Sequence, residues 1–82
     1  VAWVYILKCN DNSLYTGWTN SLEKRIEKHS KGNASKYTRA RLPVRLVYTE
    51  KMENKQEALR REFSIKKMCR EEKLRLIKNT AR

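Results

Sequence analysis

The amino-acid sequence predicts an α+β domain with the element order β-β-α-β-α-α. Three observations lead there. Two short stretches rich in Val, Ile, Trp and Tyr flank a polar cluster near the N-terminus. The pattern then changes to helical spacing. After one further apolar run, two more helical stretches follow. The 82 residues are read as one domain, 1–82, because so short a chain cannot build two cores. Even one core is thin, since a domain of this size buries only roughly 60–65% of its unfolded surface. A polar residue on an inner face is therefore informative.

Ala2 to Lys8 reads as the first strand and Leu14 to Thr19 as the second, joined through the turn cluster Asn10-Asp11-Asn12. An odd number of connecting residues puts Tyr5 and Tyr15 on one face of this hairpin. A two-residue turn puts them on opposite faces. Asn20 or Ser21 caps a helix reaching to about Lys31, which Gly32 ends as a C′ glycine. Residues 34–42 are basic and irregular, and Pro43 closes them. Val44 to Thr49 is the third strand. Asn54 and Glu57 form an Asn-x-x-Glu capping pair that opens a helix from about Lys55 to Met68. A last helical stretch runs from about Glu71 to Lys78, with Leu74 and Ile77 as its apolar stripe.

Helical residues advance about 100° each. With Leu22 at zero, Ile26 falls near about 40°, Arg25 near about 300° and His29 near about 340°. Arg25 and His29 thus lie beside or within the apolar stripe and aim at the sheet. A lone His in such a place is either a satisfied boundary residue or part of a site, and Arg25 can also snorkel outward along its stem. In the next helix, with Ala58 at zero, Glu62 falls near about 40°, inside the apolar arc. An unpaired carboxylate there is costly, so a cation is required. Arg25 as a structural ion pair and a bound divalent metal both satisfy that need.

Twenty basic against nine acidic residues leave a net charge of +11. The simplest partner for that field is a polyanion, and nucleic acid is the expected one. No apolar run approaches the roughly 20 residues that span a bilayer, and no signal peptide is seen, so no membrane partner and a cytoplasmic location are expected. Cys9 and Cys69 match no zinc template and are read as reduced, mostly buried thiols.

At Val4-Tyr5-Ile6 followed by Tyr15-Thr16-Gly17 the sequence resembles the GIY-YIG nuclease family, most closely its small stand-alone bacterial members, over nearly the whole chain. The segments "VYIL", "LYTGWT", "LEKRIEKH", "KYTRARLPVRLVY" and "EALRREFSIKK" arrive in family order. The resemblance implies a small three-stranded antiparallel sheet flanked by helices and a Mg²⁺-dependent phosphodiesterase site, with Mn²⁺ as a substitute. It implies Tyr5 and Tyr15 as the motif tyrosines and Gly17 as the motif glycine that permits close approach of backbone and substrate. It further implies Arg25 on the scissile phosphate, His29 at a position held by His or Tyr in relatives, and Glu62 as the metal ligand. Tyr5 is the expected base toward the attacking water, its phenol lowered by the metal and by Arg25. The chain departs from the family pattern at Trp3-Val4-Tyr5, at Thr16, at Trp18 and after Glu62, where Asn79 alone is available for the family asparagine.

The function so implied is endonucleolytic phosphodiester hydrolysis, DNA favoured, on repair or recombination structures. The alternative is a non-catalytic nucleic-acid-binding module on the same scaffold. It would bind through Lys36, Arg39, Arg41 and Arg45, with Tyr37 or Trp18 stacking on bases; Tyr37 is equally a loop anchor. A small subunit docking on an acidic protein is a third reading, disfavoured by an inward Glu62. A protein partner or a homo-oligomer is the expected source of substrate specificity.

Overall fold

The computed structural model describes residues 1–80. Strands β1 (Ala2–Lys8), β2 (Leu14–Thr19) and β3 (Arg45–Met52) are accompanied by helices α1 (Leu22–Ser30), α2 (Lys36–Arg39), α3 (Lys55–Lys66) and α4 (Arg70–Thr80). The strands form one antiparallel sheet in the order β2-β1-β3. The predicted order holds, with the one-turn α2 added inside the segment read as irregular. Ser35 caps it by accepting a hydrogen bond from the Thr38 N–H. A single turn is too short to show apolar periodicity, which is why the sequence reading passed over it.

The hairpin loop runs from Cys9 to Ser13, an odd connection. Tyr5 therefore pairs with Gly17 and Leu7 with Tyr15, and all four side-chain positions share one face. The opposite face carries Val4 and Ile6, with Tyr48 across from Ile6. There Ala2, Val4, Ile6 and Tyr48 pack with Ala58 and Ile65 of α3. The Tyr48 hydroxyl donates to Glu50, and Arg61 of α3 donates to the same carboxylate at 2.8 Å. This half-buried network ties α3 to β3.

On the Tyr5 face lies α1. Gly32, at φ +80°, ends it. The N–H groups of Gly32 and Asn33 bond back to the carbonyls of His29 (3.0 Å) and Lys28 (2.8 Å), the paired bonds of a Schellman motif. That sharp exit turns the chain into α2. The Asn54 side chain accepts from the Glu57 N–H at 2.9 Å, as the capping pair predicts.

Several expectations need correction. β3 runs on to Met52, because Glu50 and Lys51 continue the ladder opposite Val4 and Trp3 despite their charge. On α4 the apolar stripe is Leu76 and Ile77, which pack against the core, whereas Leu74 is exposed. Cys9 and Cys69 are both free thiols, but only Cys9 is buried. Among the described residues no helix is long and apolar enough to cross a membrane.

Candidate active site

Gly17 sits where the Tyr5 ring crosses β2. A Cβ added at Gly17 would stand 2.5 Å from the Tyr5 hydroxyl oxygen and 2.7 Å from Cζ. The close approach that this glycine permits is thus the chain's own phenol, laid across the neighbouring strand. The Tyr5 side chain is fully buried, and its hydroxyl lies 2.8 Å from Nε2 of His29. His29, also fully buried, comes from the last turn of α1, one turn after Arg25.

The second imidazole nitrogen, Nδ1, is 2.8 Å from Oγ1 of Thr38 on α2. Thr38 is itself fully buried and is held by Ser35 through its N–H (3.1 Å) and through its hydroxyl (2.9 Å to Oγ). Tyr15 meets His29 edge-on, with ring centroids 5.3 Å apart. Its own ring stacks against Tyr37, 5.9 Å away. Arg41 lies 3.8 Å over the Tyr37 ring, donates to the Tyr37 carbonyl and pairs with Asp11 at 3.0 Å. These contacts make Tyr37 an anchor that joins α2 to β2 and the hairpin loop.

The electrostatics follow from burial. Desolvation pushes the Tyr5 phenol above its ordinary range, and Tyr15 and the charge of Glu62 push the same way. Arg25 pulls it down, by charge and by hydrogen bonding, without overcoming burial. Arg25 alone thus does not bring the phenol down to neutral pH, and Tyr5 holds its proton there. Burial, assisted by Arg25, lowers the His29 imidazole below its ordinary 6.5, so the ring is neutral at pH 7.

Arg25 and Glu62 thus both act on the Tyr5 oxygen, from α1 and from α3. They do not pair with each other. The Glu62 side chain is 17% exposed and takes Lys66, one turn on, as its cation at 3.6 Å. The i,i+4 spacing of Glu62 and Lys66 was a legible signal for this pair. Arg61 and Glu62 fall on either side of the Ala58–Ile65 line, at about 300° and about 40° on the helix, so Arg61 faces the Glu50 network while Glu62 lies on the other flank.

Among the described residues no group of three or more His, Cys, Asp or Glu side chains converges to hold a metal ion. The donor set is one carboxylate. That fits a hydrated Mg²⁺, which commonly takes one or two protein carboxylates and completes its shell with water and phosphate, and does not fit a closed protein cage.

Of the remaining predicted residues, Lys36 and Arg39 are exposed on α2 and line a shallow cleft with Asn33. Arg45 lines a different cleft with Lys8, Asn10 and Pro43. Trp18 is opposite Val4, on the other face from Tyr5, where it packs against the core beneath Lys55. Strand alternation already placed it there, three residues from Tyr15. Asn79 is exposed on α4. Sequence reasoning missed Thr38 and Ser35; their Ser-x-x-Thr spacing signals a local cap but not a partner on another helix.

The family model described as the GIY-YIG catalytic domain matches residues 1–75. A UPF0213 protein of Clostridium perfringens is 64% identical over 75 residues, spanning 92% of this chain and 81% of that protein. A UPF0213 protein of Staphylococcus aureus is 55% identical over 76 residues, 93% of each chain. The solution NMR structure of a UPF0213 protein from Bacillus halodurans superposes with a TM-score of 0.64 at 44% identity, covering 96% of this chain and 84% of that one.

Proposed function

The chain belongs to the GIY-YIG catalytic-domain family, and from that premise we propose that it is an endonuclease that hydrolyses phosphodiester bonds in nucleic acid, with DNA as the favoured substrate. The observation that carries this reading is the 2.8 Å contact of the buried Tyr5 hydroxyl with Nε2 of His29, made within reach of the charges of Arg25 and Glu62.

At rest the phenol is protonated and the imidazole is neutral. Tyr5 and His29 then act as one base. The Tyr5 oxygen takes a proton from the attacking water while its own proton passes to Nε2. The new O–P bond forms as the bond to the leaving oxygen breaks; the imidazolium returns its proton to the Tyr5 oxygen while the phenol's proton passes to the leaving oxygen. Arg25 offsets the negative charge that grows on the phosphoryl oxygens. Glu62 would hold Mg²⁺, or Mn²⁺ in its place, and the ion supplies Lewis-acid polarisation of the phosphate. Lys66 does not obstruct that role, since its side chain is half exposed and can turn outward to solvent along its stem. The exposed Lys36, Arg39 and Arg45 supply sequence-independent attraction to the backbone.

The test is a panel of labelled branched, single-stranded and duplex DNA and RNA, incubated with Mg²⁺ or Mn²⁺ and either wild type or Glu62→Ala. Wild type should cleave, while Glu62→Ala should bind equally well and leave the substrate intact. Equal cleavage by both proteins sinks the assignment. One observation favours a second reading, a non-catalytic binding module: the carboxylate already has a cation in Lys66. Tight binding with no cleavage by either protein is the result that selects it.

A further inference from the structure

We propose that Thr38 is a positioning residue that holds His29 in the Nδ1–H tautomer, so that Nε2 faces Tyr5 as a proton acceptor. This rests on the reading of Tyr5 and His29 as a proton-accepting pair.

A neutral imidazole carries one N–H, and either nitrogen can bear it. The two candidates make contacts of equal length, 2.8 Å to Tyr5 and 2.8 Å to Thr38. Distance therefore does not choose between them, and the neighbours must. At the Tyr5 end, the Arg25 guanidinium is near enough to pull the phenol down, and a guanidinium has only donors to offer. The phenolic proton then needs an acceptor, and Nε2 lies within reach. With the proton on Nε2 instead, the imidazole N–H would point at the phenol oxygen, and the buried phenol's own proton would lose the acceptor that Nε2 offers it at 2.8 Å.

The Thr38 end agrees. The Ser35 carbonyl, 3.4 Å from Oγ1 of Thr38, can only accept, and Ser35 Oγ, 2.9 Å away, can accept as well. The Thr38 hydroxyl proton thus has two acceptors on Ser35. Its oxygen is left to receive the Nδ1–H of His29. One directional chain results, from Tyr5 O–H to Nε2, from Nδ1–H to Oγ1, and from the Thr38 O–H to Ser35.

The placement of α2 supports the same reading. Its Ser35 cap and the glycine exit from α1 bring Thr38 back against His29, nine residues earlier in the chain. Thr38 is completely buried, and its hydroxyl makes its bonds inside the protein. A residue needed for packing alone could be Val.

His29 is the sole histidine, so its ring nitrogens can be read without ambiguity. Long-range ¹H–¹⁵N spectra of the full chain at pH 7.5 should show a protonated Nδ1 and an unprotonated Nε2 in wild type. Thr38→Val, of similar volume, should move the ring toward Nε2–H, and Thr38→Ser should restore the wild-type pattern. In cleavage assays, Thr38→Val should lower kcat by about 10²-fold, the low end of what a positioned general base contributes, with KM unchanged, and Thr38→Ser should recover it. A wild-type spectrum showing Nε2–H overturns the proposal, even where Thr38→Val does not fold. So does a folded Thr38→Val with wild-type nitrogen shifts. A protein that cleaves no substrate but gives the expected spectra defeats the hydrolytic reading while supporting this assignment of the hydrogen-bond direction.

Discussion

Replacing Gly17 by Ala tests the geometry of the site most directly. The added Cβ would lie 2.5 Å from the Tyr5 oxygen and 2.7 Å from Cζ, well inside contact distance. The ring cannot swing aside cheaply, because Tyr5 is fully buried and its hydroxyl is bonded to an equally buried His29. Inserting a methyl into such a packed place costs about 1–3 kcal/mol. Displacing the hydroxyl from His29 forfeits a further bond worth about 0.5–1.5 kcal/mol. The combined loss is about 1.5–4.5 kcal/mol, against a total of about 4–12 kcal/mol for a domain of this length at 0.05–0.15 kcal/mol per residue. The melting temperature should fall by about 6 °C or more, since each kcal/mol moves it about 4–8 °C in a domain of this size. The decisive assay is a double-mutant cycle with Tyr5→Phe, followed by urea denaturation. Removing the hydroxyl removes the nearest clash, so Gly17→Ala should cost at least about 0.5 kcal/mol less in the Phe background. An equal cost in both backgrounds, or a Gly17→Ala protein as stable as wild type, would refute the claim that this glycine exists to seat the Tyr5 ring.

Other expectations are as sharp. The His29 pKa is lower folded than its ordinary 6.5, so the unfolded chain takes up the proton first. Stability should be full above about pH 6.5, decline as pH falls below it and level off beneath the folded pKa; urea midpoints that do not change between pH 7.5 and 5 would contradict this. Arg25→Ala should raise the barrier to cleavage by about 2–4 kcal/mol, read as kcat/KM, with nucleic-acid binding weakened far less. Neutralising Lys36, Arg39 or Arg45 should each flatten the dependence of log Kd on log salt by about 0.9 on duplex DNA, whereas Arg41→Ala, whose charge is engaged with Asp11, should change it less. Thr16 has a buried hydroxyl with no hydrogen-bond partner among the described residues, so Thr16→Val should stabilise the fold by about 1 kcal/mol, measurable by thermal melting.

By itself the sequence determined what is local. Alternation marked β1 and β2, and the helical period marked α1 and α3. Gly32 and Asn54 marked helix ends, because a left-handed turn and a side-chain cap depend only on near neighbours. Periodicity also showed Arg25, His29 and Glu62 turned inward, and the paired tyrosine motifs announced the family. What it left open was which inward group meets which. The hairpin parity depended on where the ladder closed, and only the register of Tyr5 with Gly17 settled it. The cation on Glu62 is Lys66 rather than Arg25, and the buried partner of His29 is Thr38, from a helix one turn long. The Lys66 pair follows from spacing along α3, whereas the Tyr5–Gly17 register and the Thr38–His29 contact are set by how the strands, α1 and α2 seat together. A side chain's facing is a property of its own backbone, whereas its partner is a property of the whole packing.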